Sequence, residues 1–210
     1  MLATMLRSGV LAIMLALGSV TASQAADEAI AIFAGGCFWC VESDFDRVPG
    51  VLRTTSGYTG GEVADPNYKQ VTAGGTGHRE AVEIAYDPAK VSYETLLDVF
   101  WHSVDPTDGG GQFCDRGHSY STAIYATSEE QLKQANASKQ TIDASGVLPK
   151  PIVTEIVAAG PFYPAEDYHQ DFYTRNPVRY KVYRYGCGRD ARLEELWGED
   201  AMRGMTAKGS

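Results

Sequence analysis

The stretch Ala34-Gly35-Gly36-Cys37-Phe38-Trp39-Cys40 decides how this chain is read. An apolar run, Ala29 to Phe33, leads into it, and Val41-Glu42-Ser43-Asp44-Phe45 follows with helix-compatible spacing. The two glycines therefore mark a strand-to-helix turn with Cys37 at the start of the helix. Free backbone N–H groups and the macrodipole favour an anion there, so the thiol is expected to have a lowered pKa. Phe38 and Trp39 flank the sulfur with aromatic surface, which suits an apolar substrate group. The segment predicts a redox or nucleophilic cysteine.

Working outward, further strand-like runs fall at Val51–Tyr58, Ala81–Tyr86, Ser121–Ala126 and Ile152–Ala159. Helical patterns cover Phe38–Asp46, Ser92–Val104 and Ser128–Ser145, with a shorter one near Ala165–Tyr173. Ser92 is placed as an N-cap ahead of the apolar stripe Leu96, Leu97, Phe100 and Trp101. Ser128-Glu129-Glu130 opens the next helix, and Gly146 with Pro149 and Pro151 ends it. The order β-α-β-β-α-β, then a further helix and strand, predicts an α+β fold. Its core would be a ferredoxin-like split βαβ unit with a mixed or antiparallel sheet. Two long connections, Thr59–His78 and Asp105–Tyr120, are rich in Gly, Asp and Pro, and long loops in a small domain are disproportionately functional.

The chain ends read differently. Arg7, the apolar run Val10 to Val20 and the small residues up to Ala25 form a secretory signal pattern, with cleavage expected after Ala25. Residues 26–200 are then a single exported domain, most simply periplasmic and monomeric, and 201–210 a loose tail without apolar periodicity. Eighteen Lys and Arg against 27 Asp and Glu leave a net charge of −9. With no basic stripe, nucleic acid is not an expected partner.

Four cysteines occur, Cys37, Cys40, Cys114 and Cys187, as one close pair and two singletons. Zinc held by four thiolates would show two close pairs, and the four histidines lack metal-ligand spacing, so no metal is assigned. The C-x-x-C alone also fits a thiol–disulfide oxidoreductase, and the aromatic residues alone fit a binding module.

The long connections supply what those two readings leave unused. Gly57-Tyr58-Thr59-Gly60-Gly61 runs through Pro66-Asn67-Tyr68 to Thr76-Gly77-His78-Arg79-Glu80-Ala81-Val82. Asp105-Pro106 leads to Cys114-Asp115-Arg116-Gly117-His118-Ser119-Tyr120, and Pro161-Phe162-Tyr163-Pro164-Ala165-Glu166-Asp167-Tyr168-His169-Gln170 follows. Together with the Gly-Cys-Phe-Trp segment, these ordered motifs resemble the peptide methionine sulfoxide reductase A family from about Ile30 to about Tyr173. The resemblance implies reduction of the S epimer of methionine sulfoxide, protein-bound or free. It places the nucleophile at Cys37, the methyl-group pocket at Phe38 and Trp39, and the proton-donating carboxyl at Glu80. Tyr68 and Tyr120 take the roles of hydrogen-bonding tyrosines, and Asp115 that of a supporting acid. It implies no bound cofactor, with electrons supplied by an external dithiol such as a thioredoxin.

The chemistry agrees with those roles. A sulfoxide is a poor electrophile until its oxygen is protonated or strongly hydrogen-bonded, and a desolvated Glu80 could supply the proton. Cys37 would be left as a sulfenic acid, which a second thiol condenses to a disulfide. Many family members carry that second cysteine in a glycine-rich C-terminal tail, from which Tyr185-Gly186-Cys187-Gly188-Arg189-Asp190 departs. Cys40, one helical turn from Cys37, is favoured as the resolving thiol, with Cys187 as the alternative. A pairing of Cys114 with Cys187 is set beside this as a conjecture for an oxidising compartment.

Overall fold

The apolar run ahead of the glycines forms β1 (Ala29–Ala34), near the middle of the sheet. The computed structural model describes residues 28–206, so the signal segment lies outside the described residues. After β1 come α1 (Phe38–Phe45), β2 (Val51–Thr59), α2 (Tyr68–Ala73), β3 (Arg79–Tyr86) and α3 (Tyr93–Trp101). A small hairpin, β4 (Gly111–Gln112) with β5 (Asp115–Arg116), precedes β6 (Ala123–Ala126) and α4 (Glu129–Ser145). The chain closes with β7 (Glu155–Ala158), β8 (Phe162–Pro164), α5 (Phe172–Arg175), α6 (Pro177–Gly186) and α7 (Arg189–Trp197).

Six strands form one sheet in the order β7-β6-β1-β3-β2-β8, and only β6 with β7 pairs in parallel. Its inner four, β6-β1-β3-β2, are connected through α1 and α3 as the expected split βαβ core. Alternation along β3 sorts its residues between the two faces. Val82, Ile84 and Tyr86 join the main core with Phe33, Phe45 and Phe100, whereas Ala81 packs on the opposite face with Ile32 and Tyr125. Phe33 and Phe100 lie 4.9 Å apart between ring centroids, locking α3 onto β1. Burying each such ring stabilises the fold by roughly 1.5–3 kcal/mol.

The expected caps are present. Ser92 accepts from the Thr95 N–H and Ser128 from the Gln131 N–H, while Gly146 closes α4 in the left-handed conformation. Four expectations need correction. The connection Thr59–His78 holds a helix, α2, built on an Asn67–Gln70 capping box. The segment Ala165–Tyr173 is mostly turns, because its polar side chains serve the edge of the sheet. Gln170 brackets Ser56 of β2 with two hydrogen bonds, and Glu166 accepts from Tyr58. The strand pattern Ile152–Ala159 shrinks to β7. The tail is not loose as far as residue 206: Ala201, Met202 and Met205 pack on the core, and the Met202 N–H donates to the His102 carbonyl.

Candidate active site

Cys37 is held at the N-cap of α1 by its neighbours on both sides. Gly36 has φ of +85°, and a Cβ there would sit 2.6 Å from the Gln112 Cβ, so only glycine lets the strand turn this close to the hairpin. The buried Arg189 reaches across from α7 and donates to the carbonyls of Gly35 at 3.1 Å and Ser103 at 2.8 Å. These bonds fix the turn that aims the sulfur.

Around Cys37 lies a cavity of about 260 Å³ lined by Phe38, Trp39, Tyr68, Glu80, Asp115 and Tyr120. Every residue assigned to catalysis or substrate binding from the sequence, the resolving cysteine aside, meets there. Glu80 projects from β3 and is buried, not an exposed strand-end acid. Its carboxyl accepts from the Phe38 backbone N–H at 3.0 Å, and burial pushes its pKa up to about 8. Glu80 is therefore protonated at neutral pH and able to donate. Tyr68 opens α2, where its own N–H is anchored by Glu166 at 2.9 Å. Its hydroxyl and that of Tyr120 are within hydrogen-bonding reach of one another, and burial raises both phenols.

The expected lowering of the Cys37 pKa does not hold. Burial, followed by its hydrogen bond with Cys40, pushes the thiol well above its ordinary range. The helix-terminal N–H of Phe38 is taken by the Glu80 carboxyl. Cys40 goes the other way, down to about 7. Its hydrogen bond with Cys37 lowers it most, burial opposes, and the charges of Arg189 and Arg184 lower it further. Those guanidiniums flank the buried Asp44, to which Arg184 pairs at 2.8 Å. Cys37 and Cys40 are free thiols, and Cys114 is joined to Cys187. Cys114, Asp115 and Cys187 could form a ligand group by distance, but in the disulfide neither sulfur is a thiolate donor.

Residues beyond the sequence reading complete the wall. Tyr183 and Arg179 line the cavity from α6. Phe172 stacks on Trp39 with ring centroids 3.7 Å apart, and the Trp39 indole N–H donates to His169 Nδ1 at 3.0 Å. Burial lowers the His169 pKa, which keeps that ring neutral and able to accept. Arg189 and Tyr183 carried no sequence signal, since an isolated Arg or Tyr in a helical pattern is ordinarily a surface or packing residue. His78 is close to Glu80 in sequence yet serves its loop, with its ring bonded to Gly61 and Val63.

The family model for peptide methionine sulfoxide reductase matches residues 29–201. The chain belongs to the peptide methionine sulfoxide reductase family. It is similar to peptide methionine sulfoxide reductase MsrA 2 of Rhizobium meliloti (strain 1021), 55% identical over 88% of this chain and 91% of that one. It is also similar to the MsrA of Bacillus licheniformis, 52% identical over 80% of this chain and 93% of that protein. Among solved structures, methionine sulfoxide reductase A of Corynebacterium diphtheriae superposes with a TM-score of 0.67. That likeness has 33% identity and covers 74% of this chain and 78% of the other. As a reductase of the A type, the chain is an oxidoreductase. The family draws electrons from an external thioredoxin, not from a prosthetic group. The match also extends past Tyr173 through α6 and α7, so the C-terminal helices belong to the reductase fold.

Proposed function

We propose that this chain reduces methionine-S-sulfoxide in proteins, and the free amino acid as well, by a two-stage thiol mechanism. The observation that carries the reading is one cavity in which a free cysteine, a protonated carboxyl, two tyrosine hydroxyls and an aromatic wall converge. The substrate methyl group would lie against Phe38 and Trp39. Glu80 protonates the sulfoxide oxygen as Cys37 attacks sulfur, and Tyr68 and Tyr120 donate to the same oxygen as charge develops. The oxygen ends on Cys37 as a sulfenic acid, and methionine leaves.

The Cys40 thiol then condenses with the sulfenic acid, forming a Cys37–Cys40 disulfide and releasing water. Supporting this assignment, Cys40 is free, lies one turn along α1 and is biased toward thiolate, whereas Cys187 is bonded to Cys114. A thioredoxin-type dithiol would restore both thiols by exchange. The signal pattern in residues 1–25 favours export to the periplasm and a role in repairing oxidised exported proteins. The direct test is to treat protein whose Cys37 and Cys40 are reduced with one equivalent of substrate and map the new disulfide by mass spectrometry. A Cys37–Cys40 bond is expected. A bond from Cys37 to Cys187 would transfer the resolving role. For export, mature protein from fractionated cells should begin at Ala26, and an intact Met1 in the cytosol would refute it.

A further inference from the structure

Helix α6 faces three ways. Tyr180 and Arg184 are buried, while Arg179 and Tyr183 line the cavity around Cys37. Val178, Val182 and Tyr185 recur at i, i+4 and i+7 and make a third face, where they are 76%, 69% and 90% exposed. Tyr168, at 60%, is the next most exposed large hydrophobic side chain among the described residues. Its ring centroid lies 4.2 Å from His169, which stands 4.4 Å from Tyr68 and 4.9 Å from Phe38 on the cavity wall. The four most exposed large apolar side chains among the described residues are thus carried by the segments that frame the catalytic cysteine. Single apolar side chains at a surface are ordinary, but a stripe of them along one helix beside a cavity marks a surface that something covers.

We propose that the outer face of α6, together with Tyr168, docks the polypeptide that carries the methionine sulfoxide, selecting an unfolded segment with apolar side chains beside the oxidised residue. The proposal deepens the sulfoxide-reduction reading and rests on it. Continuity with the cavity names the occupant. Arg179 and Tyr183 each follow a stripe residue by one position, so a chain whose sulfoxide has entered the cavity lies against the stripe as it leaves. The stripe runs about 10 Å along α6, the length of about three residues of extended chain. The substrate brings matching chemistry. Methionine is ordinarily a core residue and its sulfoxide disrupts that core, so a chain presented for repair exposes apolar neighbours.

Charge argues against a second copy as the occupant. Helix α6 has no acidic residue, and the exposed Arg179 and Lys181 flank the stripe. A two-fold pairing of this face would set those cations against their own copies. Because the surface touches residues beside the sulfoxide and not the reacting atoms, it holds ground state and transition state alike. It therefore acts on the substrate concentration needed and not on the rate at saturation.

The test is single-turnover reduction by the full chain with Cys37 and Cys40 reduced and no donor present. Two peptides of about nine residues, long enough to cross the stripe on either side, carry a central methionine-S-sulfoxide. One is flanked by Leu and Val, the other by Ser and Gly, and free methionine sulfoxide is run beside them. The apolar peptide should half-saturate at a concentration lower by on the order of tenfold, with the same plateau. Val178→Gln/Val182→Gln/Tyr185→Gln, which puts good helix formers at exposed positions, should erase that preference with native circular dichroism. Tyr168→Gln should reduce it by a smaller factor. Equal half-saturation of the two peptides in the wild-type protein, or a preference that survives in the triple variant, would overturn the docking surface. If the surviving preference comes with a higher thioredoxin requirement for cycling, the face belongs to the reductant. If it comes with loss of a wild-type dimer, the face belongs to a second copy. Binding of the same peptides to Cys37→Ser, read by fluorescence anisotropy, reports docking without chemistry. Absence of the preference there, with free methionine sulfoxide still converted by the wild-type protein, overturns the surface alone. Failure of the wild-type protein to convert free methionine sulfoxide overturns the sulfoxide-reduction reading instead.

Discussion

The backbone N–H of Phe38 donates to a Glu80 carboxyl oxygen at 3.0 Å, so the positive end of α1 serves the acid of the site and not its thiol. Burial outweighs that bond and leaves Glu80 with a pKa of about 8. Single-turnover reduction of methionine sulfoxide should therefore hold on its alkaline side up to about pH 8 and fall as Glu80 ionises. Glu80→Gln should slow the step by on the order of 10²–10⁴ and remove that limb. Quench-flow rates across the range check it, and an intact limb in the variant would exclude Glu80 as the acid.

The thiol roles separate by turnover number. Cys37→Ser is expected to abolish reduction with any reductant. Cys40→Ser should still yield one methionine per protein but lose cycling with a thioredoxin-type donor. Product counts with and without the donor decide this, and full donor-dependent cycling in Cys40→Ser would point to Cys187.

Glu42, buried on α1 and outside the cavity, provides a stability prediction. Burial raises its pKa from 4.5 to about 8, so the native chain keeps a proton that the unfolded chain releases. Its contribution is fully present below about pH 4.5 and is lost as pH rises through about 8. Glu42→Gln should flatten the stability curve across that window and raise the urea midpoint at its alkaline end. Parallel curves for the two proteins would contradict the assignment.

The Cys114–Cys187 bond closes a loop with a sequence separation of 73 residues. The chain-entropy argument assigns such a loop roughly 4 kcal/mol of stabilisation. For a domain of this size, Cys114→Ser/Cys187→Ser should lower Tm by on the order of 10 °C. Calorimetry checks it, and an unchanged Tm would show that the tether does not constrain the unfolded chain.

Much of the fold was legible because its signals are local. The apolar run of β1, the Ser92 and Ser128 caps and the Gly146 stop each act within a few residues and appear where expected. Helix α6 was missed for an equally physical reason. Its Val178 and Val182 face solvent, while its buried positions are Tyr180 and Arg184, so its apolar pattern points away from the core. Arg184 is buried against Asp44, on a helix far away in sequence, and against Asp190 at the start of α7.

The opening segment by itself determined a strand-to-helix turn carrying a reactive cysteine, since paired glycines, alternation and helical spacing are properties of neighbouring residues. Through the ordered loop motifs and their resemblance to the reductase family it also singled out Glu80, Tyr68 and Tyr120, which the structure brings to one cavity. Only the tertiary structure decided the proton states. Whether Glu80 is acid or carboxylate, and whether Cys37 or Cys40 is nearer to thiolate, depends on desolvation and on charges brought in from α6 and α7. Those terms fall off over a few ångströms in space and have no fixed relation to distance along the chain.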